Sequence, residues 1–360
     1  MYLDLIAGTR PNFVKIASII HAIDESELNF TYRLIHTGQH YDKKLSTNFF
    51  KDLKLPEPDH NLGVGSGSQA KQTAEIMTAY EKLLEDKTPD ICIVVGDVTS
   101  SMACAITAKK MLVKVAHIEA GLRSYDWEMP EEINRVLIDS IADYFFTTTI
   151  EAKTYLLSTG KDANSVYHVG NTMIDTLVRF KQHFRKPDIW NRLDLKKDQY
   201  LVLTMHRPSN VDGLNHLEKI LKSITSYRKD IPIIFPVHPR TENAMKRLKF
   251  DCSNLFLSSA LDYLEFNFLV QNSKAVITDS GGITEETTVL GIPCLTIREN
   301  TERPETTEIG TNEIVGTDPK KIEDAFSRLF NNNWRKGSIP NLWDGNTGLR
   351  ILRVLNQLNS

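Results

Sequence analysis

The sequence is short of several things. No run reaches the roughly 18 consecutive apolar residues that a membrane-crossing helix needs. Its opening, Met1 to Ala7, is too short an apolar run and too weakly basic to read as a signal peptide. A cytoplasmic protein without a membrane partner is the expectation. The four cysteines, Cys92, Cys104, Cys252 and Cys294, form no C-x-x-C pair, and three lie in or beside apolar runs. They read as buried free thiols in a reducing compartment. A formal net charge of -3 supplies no overall basic field, which makes nucleic acid a poor partner, so any polyanion must be held by a local cluster. Repeats and low-complexity tracts are absent.

What remains is an average soluble composition over 360 residues, too long for one ordinary core. Short β-rich runs recur between longer amphipathic stretches. They are Leu3 to Ala7, Tyr32 to His36, Ile91 to Val95, Lys114 to Ile118 and Tyr144 to Thr147, then Tyr200 to Met205, Ile231 to Val237, Leu255 to Leu257, Ala275 to Thr278 and Cys294 to Ile297. Strands alternating with helices predict an α/β protein with two parallel sheets, each covered on both faces. The polar, proline-containing segment Lys186 to Trp190, after a helical stretch from Thr172 to about Phe184, suits a connection. The predicted division is a first domain over 1–175, a second over 176–345 and a final amphipathic helix over 346–360, whose packing partner the pattern leaves open.

In doubly wound domains ligands gather at the carboxyl ends of the strands, where loops and helix N-termini converge. The first strand runs into Gly8-Thr9-Arg10-Pro11, with Lys15 a turn later; the glycine allows a tight turn and both cations could face an anion. The third strand ends in Gly96-Asp97. The fourth ends in His117-Ile118-Glu119, followed by Pro130-Glu131-Glu132-Ile133-Asn134-Arg135. Glu131 and Glu132 also suit the positive end of a helix that Pro130 opens. Asp97, Glu119 and Glu131 all fall at strand exits or in loops, and crowded carboxylates would raise one another's pKa and become able to move protons near neutrality.

The second half offers His206 beside Arg207 at a strand exit, with His238 a weaker candidate of the same type. Its strongest signal is Thr278-Asp279-Ser280-Gly281-Gly282, closing a strand and opening a helix. There, backbone N–H groups of Ser280, Gly281 and Gly282 could approach a phosphate, and Glu286, one turn on, could accept ribose hydroxyls. The loop holding Arg298 and Arg303 could neutralise a diphosphate.

Taken together, Gly8-Thr9-Arg10-Pro11, Gly96-Asp97, His117 to Arg123, Pro130 to Arg135, Gly170-Asn171-Thr172, Asp279 to Gly282 and Thr301-Glu302-Arg303-Pro304 resemble the signature set of the non-hydrolysing UDP-N-acetylglucosamine 2-epimerases, in family order and across nearly the whole chain. The resemblance implies a GT-B fold, two Rossmann-like domains facing a central cleft, a homodimer, and no metal or redox cofactor. It gives acid/base roles to Asp97, Glu119 and Glu131, and an active-site role to His206. Arg10, Ser280, Gly281, Gly282, Glu286 and Arg303 match the UDP-binding set; Lys15 and Arg135 join them as expected substrate contacts. Phe266 matches an aromatic near the uracil, while Leu261 stands where some relatives carry glutamine. The runs His36 to Asp42 and Arg123 to Met129 resemble a branch that includes 2-epimerases of UDP-diacetamido-glucuronic acid, so the sugar is left open between the two. A hydrolysing epimerase, a GT-B glycosyltransferase and a UDP-sugar sensor are the rival readings.

Overall fold

The computed structural model describes residues 1–38, 49–65, 67–237, 239–248, 250 and 252–358. Its chain divides into two compact units, residues 1–179 together with 341–360, and residues 180–340.

The first unit is built on a seven-stranded sheet in the order β3-β2-β1-β4-β5-β6-β7. The strands are β1 (Tyr2–Ala7), β2 (Thr31–His36), β3 (His60–Asn61), β4 (Ile91–Val95), β5 (Lys114–Ile118), β6 (Tyr144–Thr147) and β7 (Val166–His168), and every pairing is parallel. β4 is Ile-Cys-Ile-Val-Val, buried along its whole length because helices cover both faces of the sheet. Among these apolar runs stands a buried acidic residue, Asp4 in β1. It is fully buried, but Arg33 on β2 donates to both its carboxylate oxygens at 2.8 and 2.9 Å and Tyr80 Oη adds a third bond at 2.9 Å.

The second unit carries a six-stranded parallel sheet, β10-β9-β8-β11-β12-β13, made of β8 (Leu201–Thr204), β9 (Ile233–Pro236), β10 (Leu255–Ser258), β11 (Ala275–Thr278), β12 (Cys294–Thr296) and β13 (Asn312–Ile314). In each sheet the strand order reverses at one place, between β1 and β4 and between β8 and β11. Loops leaving those neighbours diverge to opposite faces and open a crevice at the carboxyl edge.

Three strands escape the sequence pattern: β3, β7 and β13. All are edge strands of two or three residues, too short to show any periodicity. The helix predicted from Thr172 to about Phe184 is α-helical only over Thr172–Phe180 and tightens to a 3-10 turn over Lys181–His183. The closing helix, Thr347–Leu358, packs against the helix Arg10–Glu25 within the first unit. Its buried residues are Thr347, Gly348, Ile351, Leu352 and Leu355. Glycine is required at 348 because a Cβ there would lie 2.5 Å from the Ser18 carbonyl oxygen. All four cysteines are free, and Cys92, Cys104 and Cys294 are buried. No helix among the described residues is long and apolar enough to cross a membrane.

Candidate functional site

In the first unit, the loops leaving β1, β4 and β5 are tied together by short polar contacts. Asn12 is the knot: its Oδ1 accepts from the Thr9 backbone N–H at 3.1 Å, and its Nδ2 donates to the Val95 carbonyl at the end of β4 at 3.0 Å. Gly96 follows with φ +65, and its own N–H donates to the Ile118 carbonyl at 2.9 Å, across the β4/β5 register. Any Cβ at 96 would lie 3.3 Å from both Glu119 Oε2 and Lys15 Nζ, so this glycine is needed for its dihedral and for the closeness of the pair behind it.

That pair is the centre of the arrangement. Lys15 Nζ donates to Glu119 Oε2 at 2.6 Å, and both side chains are more than nine-tenths buried. Glu119 has φ +69, a left-handed conformation that a non-glycine residue holds only when its surroundings compel it. Beside it, Asp97 accepts from Arg135 Nε at 2.8 Å, and its backbone carbonyl accepts from Asn134 Nδ2 at 2.8 Å. The sequence led to an expectation of carboxylates crowding one another; the structure gives Glu119 and Asp97 a cation each. Desolvated carboxylates are costly without such partners, which explains the interleaving.

Glu131 and Glu132, alike in the sequence, part company. Glu132 is buried and accepts from the Ser124 N–H (2.9 Å), the Tyr125 N–H (3.2 Å) and Arg135 (2.8 Å), so it anchors the loop before the helix Pro130–Ile141. Glu131, in the same first turn, remains partly exposed. Arg135, expected to meet substrate, is instead 3% exposed and clamps Asp97 and Glu132 together. Arg10 begins its helix half-buried, one turn ahead of Lys15.

In the second unit the register Thr204↔Thr278 places the exits of β8 and β11 side by side, with the two hydroxyls 2.7 Å apart. His206 leaves β8 and Asp279 leaves β11, and His206 Nδ1 lies 2.8 Å from Asp279 Oδ1. Ser280 then holds the N-cap position of the helix Gly281–Leu290 without a capping bond from its side chain. A Cβ at Gly281 would come within 2.5 Å of Glu302 Oε1, so a side chain there would have to displace the Glu302 carboxylate. Gly282 sits in the same first turn. Glu286, a turn further, is buried and accepts from Tyr263 Oη at 3.0 Å. Burial pushes its carboxyl up to about 7, against the opposing hydrogen bonds of Tyr263 and Asn267. Phe266 lies partly buried on the helix Tyr263–Asn272, against the core that includes Tyr200 and Leu269. Arg303 is 5% exposed, with Nε 2.6 Å from Glu285 Oε1. His238 and residues 39–42 of the run from His36 lie outside the described residues.

The supporting contacts of two residues in the quoted motifs could not be read from the sequence. His117, wholly buried on β5, has Nδ1 2.7 Å from Asp139 Oδ1 and Nε2 3.0 Å from the Gly96 carbonyl, bracing the turn that carries Asp97. Burial would raise the Asp139 carboxyl, but His117 and Arg123 overcome this and hold it below its ordinary value. Asp279 is the second such residue. It stood in the quoted motif, yet nothing in one strand end reveals that its carboxylate reaches another. Among the described residues no group of three or more His, Cys, Asp and Glu side chains is arranged to hold a metal ion.

A family model described as UDP-N-acetylglucosamine 2-epimerase matches residues 21–356. The UDP-N-acetylglucosamine 2-epimerase of Methanocaldococcus jannaschii is 40% identical over 368 residues, covering 99% of each chain. The UDP-2,3-diacetamido-2,3-dideoxy-D-glucuronate 2-epimerase of Pseudomonas aeruginosa is 35% identical over 315 residues, 86% of this chain and 87% of the relative. Among solved structures, that of the M. jannaschii UDP-GlcNAc 2-epimerase in complex with UDP-GlcNAc and UDP superposes with a TM-score of 0.89 at 38% identity, over 99% of this chain and 100% of that one. The likeness bears out the expected GT-B class of fold.

Proposed function

We propose that this chain, which belongs to the UDP-N-acetylglucosamine 2-epimerase family, inverts C2 of a UDP-linked N-acetylamino sugar without hydrolysing it. UDP-GlcNAc, the sugar nucleotide in the M. jannaschii structure, is the first substrate to test. The observation that carries the reading is the pair of carboxylates at the ends of neighbouring strands, Glu119 and Asp97, each held in place by a buried cation. Carboxylates held and oriented in this way are suited to taking a proton from carbon.

The C2 hydrogen beside an acetamido group is too weakly acidic for direct removal. In the proposed reaction the C1–O bond to UDP breaks as a carboxylate takes the C2 proton, leaving 2-acetamidoglucal and UDP. The diphosphate oxygen then re-adds to C1 while a proton is delivered to the other face of C2. Glu119 or Asp97 is the base, and Glu131 serves the opposite face. The departing diphosphate would be stabilised by Arg10, Arg303, His206 and the amides of Ser280, Gly281 and Gly282. Glu286 would accept the ribose hydroxyls, and Phe266 would lie against the uracil. A homodimer follows from the resemblance alone.

Incubation with UDP-GlcNAc in deuterium oxide, followed by proton NMR, tests the elimination. Deuterium should enter C2 of both epimers; a product without label would contradict the route, and accumulation of free N-acetylmannosamine with UDP would mark a hydrolysing enzyme. The likeness to the P. aeruginosa relative favours one second reading, the diacetamido-uronic counterpart as substrate. The same experiment run on that compound decides between them by relative turnover.

A further inference from the structure

Asp279 stands out among the residues to which the reaction gives no task. It is fully buried at the end of β11, and its carboxylate collects donors from the neighbouring strand exit. Its Oδ2 accepts from the Arg207 N–H at 2.9 Å, the His206 N–H at 3.1 Å and Asn210 Nδ2 at 3.1 Å. Its Oδ1 faces His206 Nδ1 at 2.8 Å. An ionised carboxylate offers only acceptors, so the ring nitrogen facing it must carry hydrogen.

We propose that Asp279 is a positioning residue that holds His206 in its Nδ1–H form and leaves Nε2 as the nitrogen presented to the leaving diphosphate. This rests on the reading of His206 as a residue of the reaction. The exposures support it: the His206 side chain is 54% exposed and Asp279 is 0% exposed. A half-exposed imidazole ordinarily samples both tautomers and several orientations, and the hydrogen bond on one nitrogen decides what the other can do. Here the bonded partner is wholly buried while the ring itself is half exposed. When Nε2 gains a proton, the carboxylate behind the ring also stabilises the resulting cation, which then faces the diphosphate with an N–H donor. Asp279 is held against its own burial by these contacts, and its carboxyl stays below the ordinary value because the His206 imidazole and the backbone N–H groups outweigh desolvation.

The pairing can be read without substrate. In long-range 1H–15N spectra of the 15N-labelled full chain, with the His206 signals identified by their loss in His206→Asn, the ring should appear as the Nδ1–H tautomer. Asp279→Asn, whose amide can turn a donor toward the ring, should shift it to the Nε2–H form. It should lower kcat by about 10- to 100-fold, the usual cost of losing the partner that orients a functional histidine, with a smaller change in KM. In the His206→Asn background the same change should cost less than about twofold, because residues acting through one another are non-additive. Asn210→Ala removes another donor from the carboxylate without touching the ring and should leave the tautomer unchanged. A wild-type ring in the Nε2–H form would overturn the proposal. Equal losses from Asp279→Asn with and without His206 would do so too, as would a tautomer shift of the same size in Asn210→Ala. A chain with the Nδ1–H ring but no exchange at C2 would refute the activity and leave the pairing standing.

Discussion

Lys15 Nζ and Glu119 Oε2 meet at 2.6 Å in a place that water barely reaches, and each residue explains the other's burial. Removing one partner of a buried pair leaves an uncompensated charge, which costs about 3–5 kcal/mol. Lys15→Met should therefore destabilise the first unit by that order and abolish C2 exchange. Urea unfolding followed by circular dichroism measures the first effect. The charge-neutral pair change Lys15→Met with Glu119→Gln should recover much of the stability and none of the turnover.

Arg135 offers a sharper discrimination. Its guanidinium is buried between Asp97 and Glu132, so its loss should act on the placement of Asp97. Hydrogen bonds to charged groups contribute about 1.5–3 kcal/mol, which corresponds to a kcat reduced roughly 10- to 100-fold in Arg135→Leu. KM should move little. Arg135→Lys should rescue poorly, since an ammonium cannot reproduce the fork that reaches both carboxylates. A large rise in KM at unchanged kcat would place Arg135 on the substrate instead.

Glu286 predicts a pH effect in the second unit. Burial raises its carboxyl to about 7 from an ordinary 4.5, so the protonated form is favoured by folding. Its contribution to stability is then present below about pH 4.5 and is lost as the pH rises through about 7. Binding runs the other way if the ionised form accepts ribose hydroxyls: UDP affinity should increase as the pH rises through 7. Calorimetric titration at several pH values checks this, and Glu286→Gln should flatten both dependences.

Much of this was legible in the chain. β4, β5, β6 and β11 begin and end where their apolar runs do, because strands buried on both faces leave no ambiguity of period. The strand exits then named the loops to inspect. What could not be read is pairing. That Glu131 stays partly exposed while Glu132 is tied to Ser124 and Tyr125 depends on which side of one helical turn meets a loop seven to eight residues earlier. The bond from Asp279 to His206 joins positions 73 apart, and Lys15 and Glu119 are separated by 104. The edge strands failed for another reason: two or three residues carry no pattern, and only their neighbours make them strands.

The closing helix yields a prediction about the fold itself. Ile351, Leu352 and Leu355 are fully buried, and Asp175 accepts from Ser18 Oγ at 2.7 Å and from the Gly348 N–H at 2.8 Å. Burying each of those side chains is worth about 1.5–3 kcal/mol, a sum comparable to the whole stability of a domain. A chain ending at Pro340 should lose amide-exchange protection throughout residues 1–179 and keep it in 180–340. Mass spectrometry of deuterium uptake reads the two regions separately.

The return of residues 341–358 to the first unit orders events during synthesis. Residues 180–340 are contiguous and can reach their final packing as soon as they leave the ribosome, whereas residues 1–179 must wait for a segment made after residue 340. The earlier-translated unit is thus the later one to mature, and until the helix Thr347–Leu358 emerges it exposes the groove that this helix fills.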